Sequence, residues 1–317
     1  MTLSALSVGV EVPTHCFNGT VHSLFRQACN LRIEHNALLT LLPSEKANVP
    51  QGIRVDDPTF LAFLDRVRVG QPVACRGGIL RMGGADLAID LRTASRWYID
   101  LTALQVDLRR PHRADAWVTA WLELETYRCS DGFSAMMEAP SDAAWAARTP
   151  VTRTILGQRG GQAVAALLDA TRSLRLDDAV TAIGPVIGLG PGLTPSGDDF
   201  LVGYLAGLWS TVGGDSSRVS FLTEMGAWLS TTAGTTNAIS GAYLNSAARG
   251  NVSEPIATLA QQLAYARDPG RIRAATRTAL SVGHTSGTDG VLGLLLGCLG
   301  WAAPGVELNC LGTGLDA

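Results

Sequence analysis

Between Gly184 and Leu208 the only charged side chains are Asp198 and Asp199, and they follow a run of glycines, Thr194 and Ser196. Glycines ahead of a helix let backbone N–H groups approach an anion, and the helix N-terminus adds roughly half a positive charge. Gly190, Gly192, Thr194, Ser196 and Gly197 are therefore candidate binding residues for phosphate or carboxylate without a lysine. Neither familiar phosphate motif fits: no Gly-Lys-Ser/Thr follows, and Leu193 stands where a dinucleotide fingerprint needs its third glycine.

A second segment repeats the first with an offset of 90 residues, Ser196-Gly197-x-Asp199-x-x-x-Gly203-x-x-x-Gly207 aligning with Ser286-Gly287-x-Asp289-x-x-x-Gly293-x-x-x-Gly297. Each half reads as a start signal followed by an apolar helix with a glycine stripe, on which another helix can approach closely. We expect the 188–199 and 283–289 loops to lie within about one helix diameter, ~10 Å, and to share a site.

Ser-x-x-Asp ahead of an apolar run is also a capping box, which assigns Asp199 and Asp289 to backbone N–H groups. Asp198 is different, because its repeat counterpart is Thr288 and capping does not require it. It is the expected ligand-facing carboxylate and, with His284, the expected catalytic group. Since a carboxylate repels an anion, Asp198 would act on a Mg²⁺ or on N–H donors of a substrate. His284 lies among Thr285, Ser286, Gly287 and Thr288, where an imidazole meets an anion or moves a proton. Thr236 and Asn237, in the cluster TTAGTTNAIS at 231–240, read either as helix caps or as a neutral hydrogen-bonding wall. Asp199, Thr285, Ser286, Gly287 and Asp289 complete the candidate substrate-binding set.

These loops need a scaffold, and the chain of 317 residues is long enough for two domains. Up to about 110, short apolar runs punctuated by glycine read as strands at 7–12, 36–42, 71–75, 77–82 and 86–91, with hairpin turns at Gly77-Gly78 and Gly83-Gly84. Pro58 opens a helix with Phe60, Phe63, Leu64 and Val67 on one face. His15, Cys16, His22 and Asn30 fall in what reads as a short strand-and-helix region without metal-ligand spacing. From about 112 the period becomes helical, with Trp117, Trp121 and Leu124, and helices follow at roughly 158–175, 197–210, 219–233, 236–249, 253–266, 271–281 and 289–302. The fold class is α+β: a β-rich barrel or sandwich-like domain over 1–130, then a helical domain over 131–317.

With 25 basic and 28 acidic side chains the formal charge is -3, which gives no electrostatic footprint for nucleic acid or an anionic membrane. The apolar uncharged run Gly290–Val306 is broken by glycines and falls short of the ~20 apolar residues of a membrane span. Six scattered cysteines without CxxC pairs and a start lacking signal-peptide character point to a cytoplasmic protein with reduced thiols. No Gly-x-Ser-x-Gly elbow supports a covalent hydrolase.

GLGPGLTPSGDDFLVGYLAG at 188–207, TTNAISGAYLNSAARGNVSEPI at 235–256, GHTSGTDGVLGLLLG at 283–297 and SLFRQACNL at 23–31 together resemble the AllH family of bacterial proteins. The resemblance covers most of the chain and departs most over 43–150. It implies a subunit of oxamate carbamoyltransferase, an assembly of three dissimilar proteins, so two partner subunits are expected. The assembly phosphorolyses oxalurate to oxamate and carbamoyl phosphate in allantoin and purine breakdown. It carries over no catalytic residue and no cofactor. Two other readings stay open, a non-catalytic stabilising or regulatory subunit and a self-sufficient enzyme for another small carboxylate or amide. The first would spend the glycine-rich loops on packing; an enzyme would open them onto a pocket.

Overall fold

The computed structural model describes residues 1–55, 58–84, 86–127, 132–133 and 155–302. The 130–148 stretch read as a loosening of the helical pattern, Cys129, Cys310 and the end of the Gly290–Val306 run lie outside the described residues, apart from 132–133. Internal contacts divide the chain into two units, Met1–Ile99 and Asp100–Ala317.

The first unit is a closed β-barrel. Strands β1 (Thr2–Gly9), β2 (Cys16–Phe25), β3 (Ala28–Ile33), β4 (Leu38–Pro43), β5 (Gly52–Val55), β6 (Pro72–Arg76), β7 (Ile79–Met82) and β8 (Leu87–Asp90) run in the order β5-β4-β3-β2-β6-β7-β8-β1, and β1 returns to pair with β5. β9 (Ser95–Trp97) adds in parallel to the end of β1. Closure leaves the eight-stranded ring without the unpaired edges of an open sheet. Along β1 alternate residues such as Leu3 and Ala5 are buried while Ser4 and Leu6 are exposed, as a one-sided core demands. Phe17, Val21, Leu31, Leu41, Ile53, Leu80 and Ile89 fill the interior, with Phe60 and Phe63 of the short helix α1 (Phe60–Leu64) in the same cluster. Gly77 and Gly78 both have positive φ, as a two-residue hairpin turn between β6 and β7 requires.

The segment read as strand-and-helix is instead the β2–β3 hairpin, pairing from Gly19↔Ile33 to Phe25↔Ala28. Only Phe17 and Val21 of β2 are fully buried, polar Asn18, Thr20, His22 and Ser23 stand between and beside them, and a register irregularity between Val21 and Ser23 breaks the alternation.

The second unit is helical: α2 (Pro111–Thr126), α3 (Ile155–Arg172), α4 (Leu176–Ile183), α5 (Ser196–Thr211), α6 (Ser216–Thr232), α7 (Ala238–Ala248), α8 (Glu254–Tyr265), α9 (Pro269–Leu280) and α10 (Ser286–Cys298). α2 belongs to this unit, which by internal contacts begins at Asp100. The reason is packing: Trp117 is buried, stacks on Trp121 and donates its indole N–H to Leu295 O at 2.8 Å.

α5 and α10 are apolar all round and are the buried centre of the unit, as helices without a polar face must be. They run parallel, since Gly203 faces Gly290 and Leu294 while Gly207, one turn on, faces Leu294 and Cys298. The contacts obey the 90-residue offset in both directions. A Cβ on Gly203 would overlap Gly290 O and one on Gly293 would overlap Phe200 O; one on Gly207 would overlap Leu294 O and one on Gly297 would overlap Tyr204 O. The repeated stripe is therefore a pseudo-twofold interface in which backbones touch directly.

Candidate functional site

Parallel packing in register brings the two helix N-termini together, and Thr194 Oγ1 lies 2.9 Å from Ser286 Oγ. Parallel dipoles repel, so the shared positive end favours negative charge beside it. Three carboxylates, Asp198, Asp199 and Asp289, occupy the two first turns.

Neither helix starts with a capping box. Pro195 and Thr285 hold the cap positions and make no side-chain cap bond, while Ser196 and Ser286 are already helical. Carbonyls of the entering chain take several of the first N–H groups: Gly197 N donates to Leu189 O, Asp198 N and Asp199 N to Pro195 O, and Gly287 N to Val282 O. Asp199 and Asp289 are thereby freed from the capping duty that the Ser-x-x-Asp spacing suggests.

Asp198 is fully buried and accepts three hydrogen bonds. Its Oδ1 takes the Gly188 N–H at 2.8 Å, and its Oδ2 takes the Thr236 hydroxyl at 2.6 Å and the Ser240 hydroxyl at 2.7 Å. It ties the glycine-rich loop to the start of α7. Asn237 accepts the Ile239 and Ser240 N–H groups at 3.1 Å as the N-cap of α7. Thr236 and Asn237 thus serve the frame that holds the loop.

Asp199 stands differently. Burial pushes its carboxyl up to about 7, the charges of Asp289 and Asp198 add to the rise, and the Ser286 and Thr194 hydroxyls pull against it. Its Oδ2 is buried without a hydrogen-bond partner among the described residues. Asp289 is fully buried, and its carboxylate lies against Gly132, where a Cβ would sit 2.8 Å from one oxygen. Tyr243 of α7 feels the same charge, its phenol being pushed up to about 12 by burial and then by Asp199. Sequence reasoning missed Tyr243 and Gly132, since no spacing connects either to the two loops.

The loop itself is exposed at Pro191, Gly192 and Leu193. Gly190, at φ 114, passes close to Ser196, so the turn requires a residue without a side chain. On the second loop His284 is exposed, Thr285 and Ser286 are half-buried, and Thr288 closes on its own turn by donating to Thr285 O. The structure thus gathers Thr194, Ser196, Asp199, Ser286 and Asp289 around the two helix starts, whereas Asp198, Thr236 and Asn237 form the hydrogen-bonded layer behind the loop.

Among the described residues no group of three or more His, Cys, Asp or Glu side chains is placed to hold a metal ion. The Asp198 carboxylate, expected to meet a Mg²⁺ or a substrate N–H, already accepts three hydrogen bonds from the chain itself. Cys29, Cys75 and Cys298 are buried, and burial pushes the Cys29 and Cys298 thiols up to about 12, far from nucleophilic use. No helix among the described residues is long and apolar enough to cross a membrane.

Two family models match the chain. One, described as oxamate carbamoyltransferase subunit AllH, covers residues 186–298 and so contains both loops and the helix pair. The other, the AllH family N-terminal domain, covers residues 4–96, the barrel. No solved structure matches the chain.

Proposed function

The chain belongs to the AllH family, and from that premise we propose that it acts as a subunit of an oxamate carbamoyltransferase assembly, with the paired starts of α5 and α10 as its contribution to the active site. The observation that carries this reading is the parallel, in-register helix pair. It places two positive helix ends, two hydroxyls 2.9 Å apart and the Asp199 carboxyl on one spot.

The reaction is phosphorolysis of oxalurate. A phosphate oxygen attacks the terminal carbamoyl carbon, the bond from that carbon to the oxamate nitrogen breaks, and carbamoyl phosphate and oxamate leave. Hydrogen phosphate supplies one proton and the oxamate nitrogen takes one, so the protein need only relay it. A carboxyl near pKa 7 is matched to that task. Asp199 gives its proton to the departing nitrogen and recovers one from the phosphate, while Thr194 and Ser286 orient the anions and the helix ends stabilise the developing oxyanion. Asp198 acts as a positioning residue through Gly188, Thr236 and Ser240, and His284 sits at the exposed edge. The partner subunits, two dissimilar chains, supply the rest of the pocket.

The test is carbamoyl phosphate formation by the assembly reconstituted with its partner subunits. Asp199→Asn lowers turnover at least about tenfold, some 1.4 kcal/mol of transition-state stabilisation. In the wild type, turnover in both directions falls as pH rises through about 7, because the relay begins and ends with Asp199 protonated. Unchanged turnover and unchanged pH limbs in Asp199→Asn would sink the catalytic reading. They would favour the non-catalytic subunit.

A further inference from the structure

A concave site lies at the N-terminal end of α9, away from the two loops. A cavity of about 330 Å³ is lined by His112, Asp115, Ala116 and Thr119 of α2, and by Ala266, Arg267, Pro269 and Ile272 where α8 passes into α9. The volume suits a small ligand and its first waters. It sits at the N-terminus of α9, whereas the α10 start follows that helix's C-terminus; twelve residues at 1.5 Å put about 18 Å of helix between the two ends.

The charge around this cavity runs against the usual pattern. The first turn of a helix favours acids. α2 has none there and carries His112 and Arg113 instead, after an Arg110 cap that makes no side-chain bond. Arg109 and Arg110 share Asp107, at 2.8 and 3.6 Å. Arg113 and Arg267 have no carboxylate at ion-pair distance among the described residues. Arg113 donates to Ala266 O at 3.0 Å, which fixes one guanidinium against the cavity wall. Burial, then Arg267 and Arg110, hold the Arg113 guanidinium below its usual range, so positive charge gathers beside this wall. Of the nearby acids, Asp268 is occupied in capping Gly270 N–H at 2.8 Å. Asp115 faces the cavity without such a partner among the described residues.

We propose that this cavity binds hydrogen phosphate, as an anion site separate from the helix-pair site. Arg267 and His112, the basic side chains that line it, supply the donors for the negative charge. Asp115 would repel a bare dianion, yet it accepts a hydrogen bond from an oxyanion that carries its own O–H. Hydrogen phosphate has both charge and proton at neutral pH; sulfate and a phosphomonoester dianion have only the charge. Asp115 therefore selects free phosphate over both.

Calorimetric titration of the full chain at constant ionic strength tests this, with phosphate, sulfate and methyl phosphate as probes and a urea melt of each variant as the folding control. Phosphate binds the wild type at least about tenfold more tightly than the other two. Arg267→Gln, or the second rim variant His112→Gln, weakens phosphate at least tenfold, and Asp115→Asn brings sulfate to within about threefold of phosphate. In the double variant Thr194→Val, Ser286→Ala, which silences the helix-pair hydroxyls, the phosphate binding that remains keeps its preference over sulfate and its dependence on Arg267. Phosphate affinity that survives Arg267→Gln and vanishes in the double variant would move the anion to the helix pair and overturn the proposal. So would equal affinity for phosphate and sulfate in the wild type. An absence of phosphate binding, with Arg267→Gln weakening assembly with the partner subunits, would show that the arginines face a protein.

Discussion

The two halves of the repeat share a frame and differ in what they do with it. Ser196–Gly207 and Ser286–Gly297 present the same serine, acid and glycine positions, and their glycines interlock symmetrically. At the third helical position they part. Thr288 turns back onto Thr285 O, so the second half closes on itself. Asp198 reaches outward to Gly188, Thr236 and Ser240, so the first half is anchored to its neighbours. The entering chains differ correspondingly. Gly188, Gly190 and Gly192 all have positive φ on one side, against Gly283 alone on the other. A duplicated helix start can hold a site symmetrically while one half alone controls the loop over it.

The symmetric part of the comparison breaks hardest at the stripe. Gly203→Ala and Gly293→Ala each gain about 1 kcal/mol of helix propensity. Each also drives a Cβ into a backbone carbonyl of the facing helix, which no rotamer change relieves. We expect a net loss of about 3 kcal/mol or more, the upper range of overpacking costs, and equal losses for the two variants. Urea melts measure both, and a loss confined to one of them would deny the pseudo-twofold contact.

The asymmetric part is sharpened by Asp198→Asn against Thr288→Val. The first replaces one oxygen of a buried carboxylate that accepts from three donors, at about 1.5–3 kcal/mol, the worth of hydrogen bonds to a charged group. The second removes one hydroxyl bond within a single turn and costs about 1 kcal/mol at most. Turnover of the assembly falls with Asp198→Asn through loss of the loop position, and Thr236→Val reproduces part of that loss. If Thr236→Val leaves the rate unchanged while Asp198→Asn abolishes it, Asp198 meets the substrate itself.

How much of this was legible in the sequence depends on the range of the signal. Glycine pairs marked the barrel hairpins, and the 3.6 period marked most helices, because both are local. α4 escaped, being a short helix between two turns, and the β2–β3 hairpin escaped because polar residues fill its outer face. The 90-residue repeat correctly placed the two loops together, since equal glycine stripes admit a close parallel crossing. It could not assign the acids. Whether Asp198 or Asp199 is satisfied depends on Thr236 and Ser240, two hydroxyls about forty residues away that carry no mark of their function. The capping-box spacing misled for a related reason: the box needs its serine outside the helix, and Pro195 and Thr285 already hold that place.

The smallest effect tests the state of Asp199 without any activity assay. Its folded carboxyl sits at about 7, above the ~3.9 of an unfolded aspartate. Between those values the folded chain binds more protons than the unfolded one, so stability falls as pH rises from about 4 through 7. The penalty is fully present above 7, where burial and the neighbouring Asp289 and Asp198 oppose the second charge. Asp199→Asn keeps the shape and removes that charge. It should raise stability at pH 8 by at least about 1 kcal/mol, near one pKa unit's worth, and make little difference at pH 4. Thermal melts of the two proteins from pH 4 to pH 8 measure the divergence. The same substitution in the second half, Asp289→Asn, relieves the pair from the other side and should lower the Asp199 titration point. If Asp199→Asn is instead destabilising at pH 8, the carboxylate is satisfied in the folded chain and is anchored as Asp198 is.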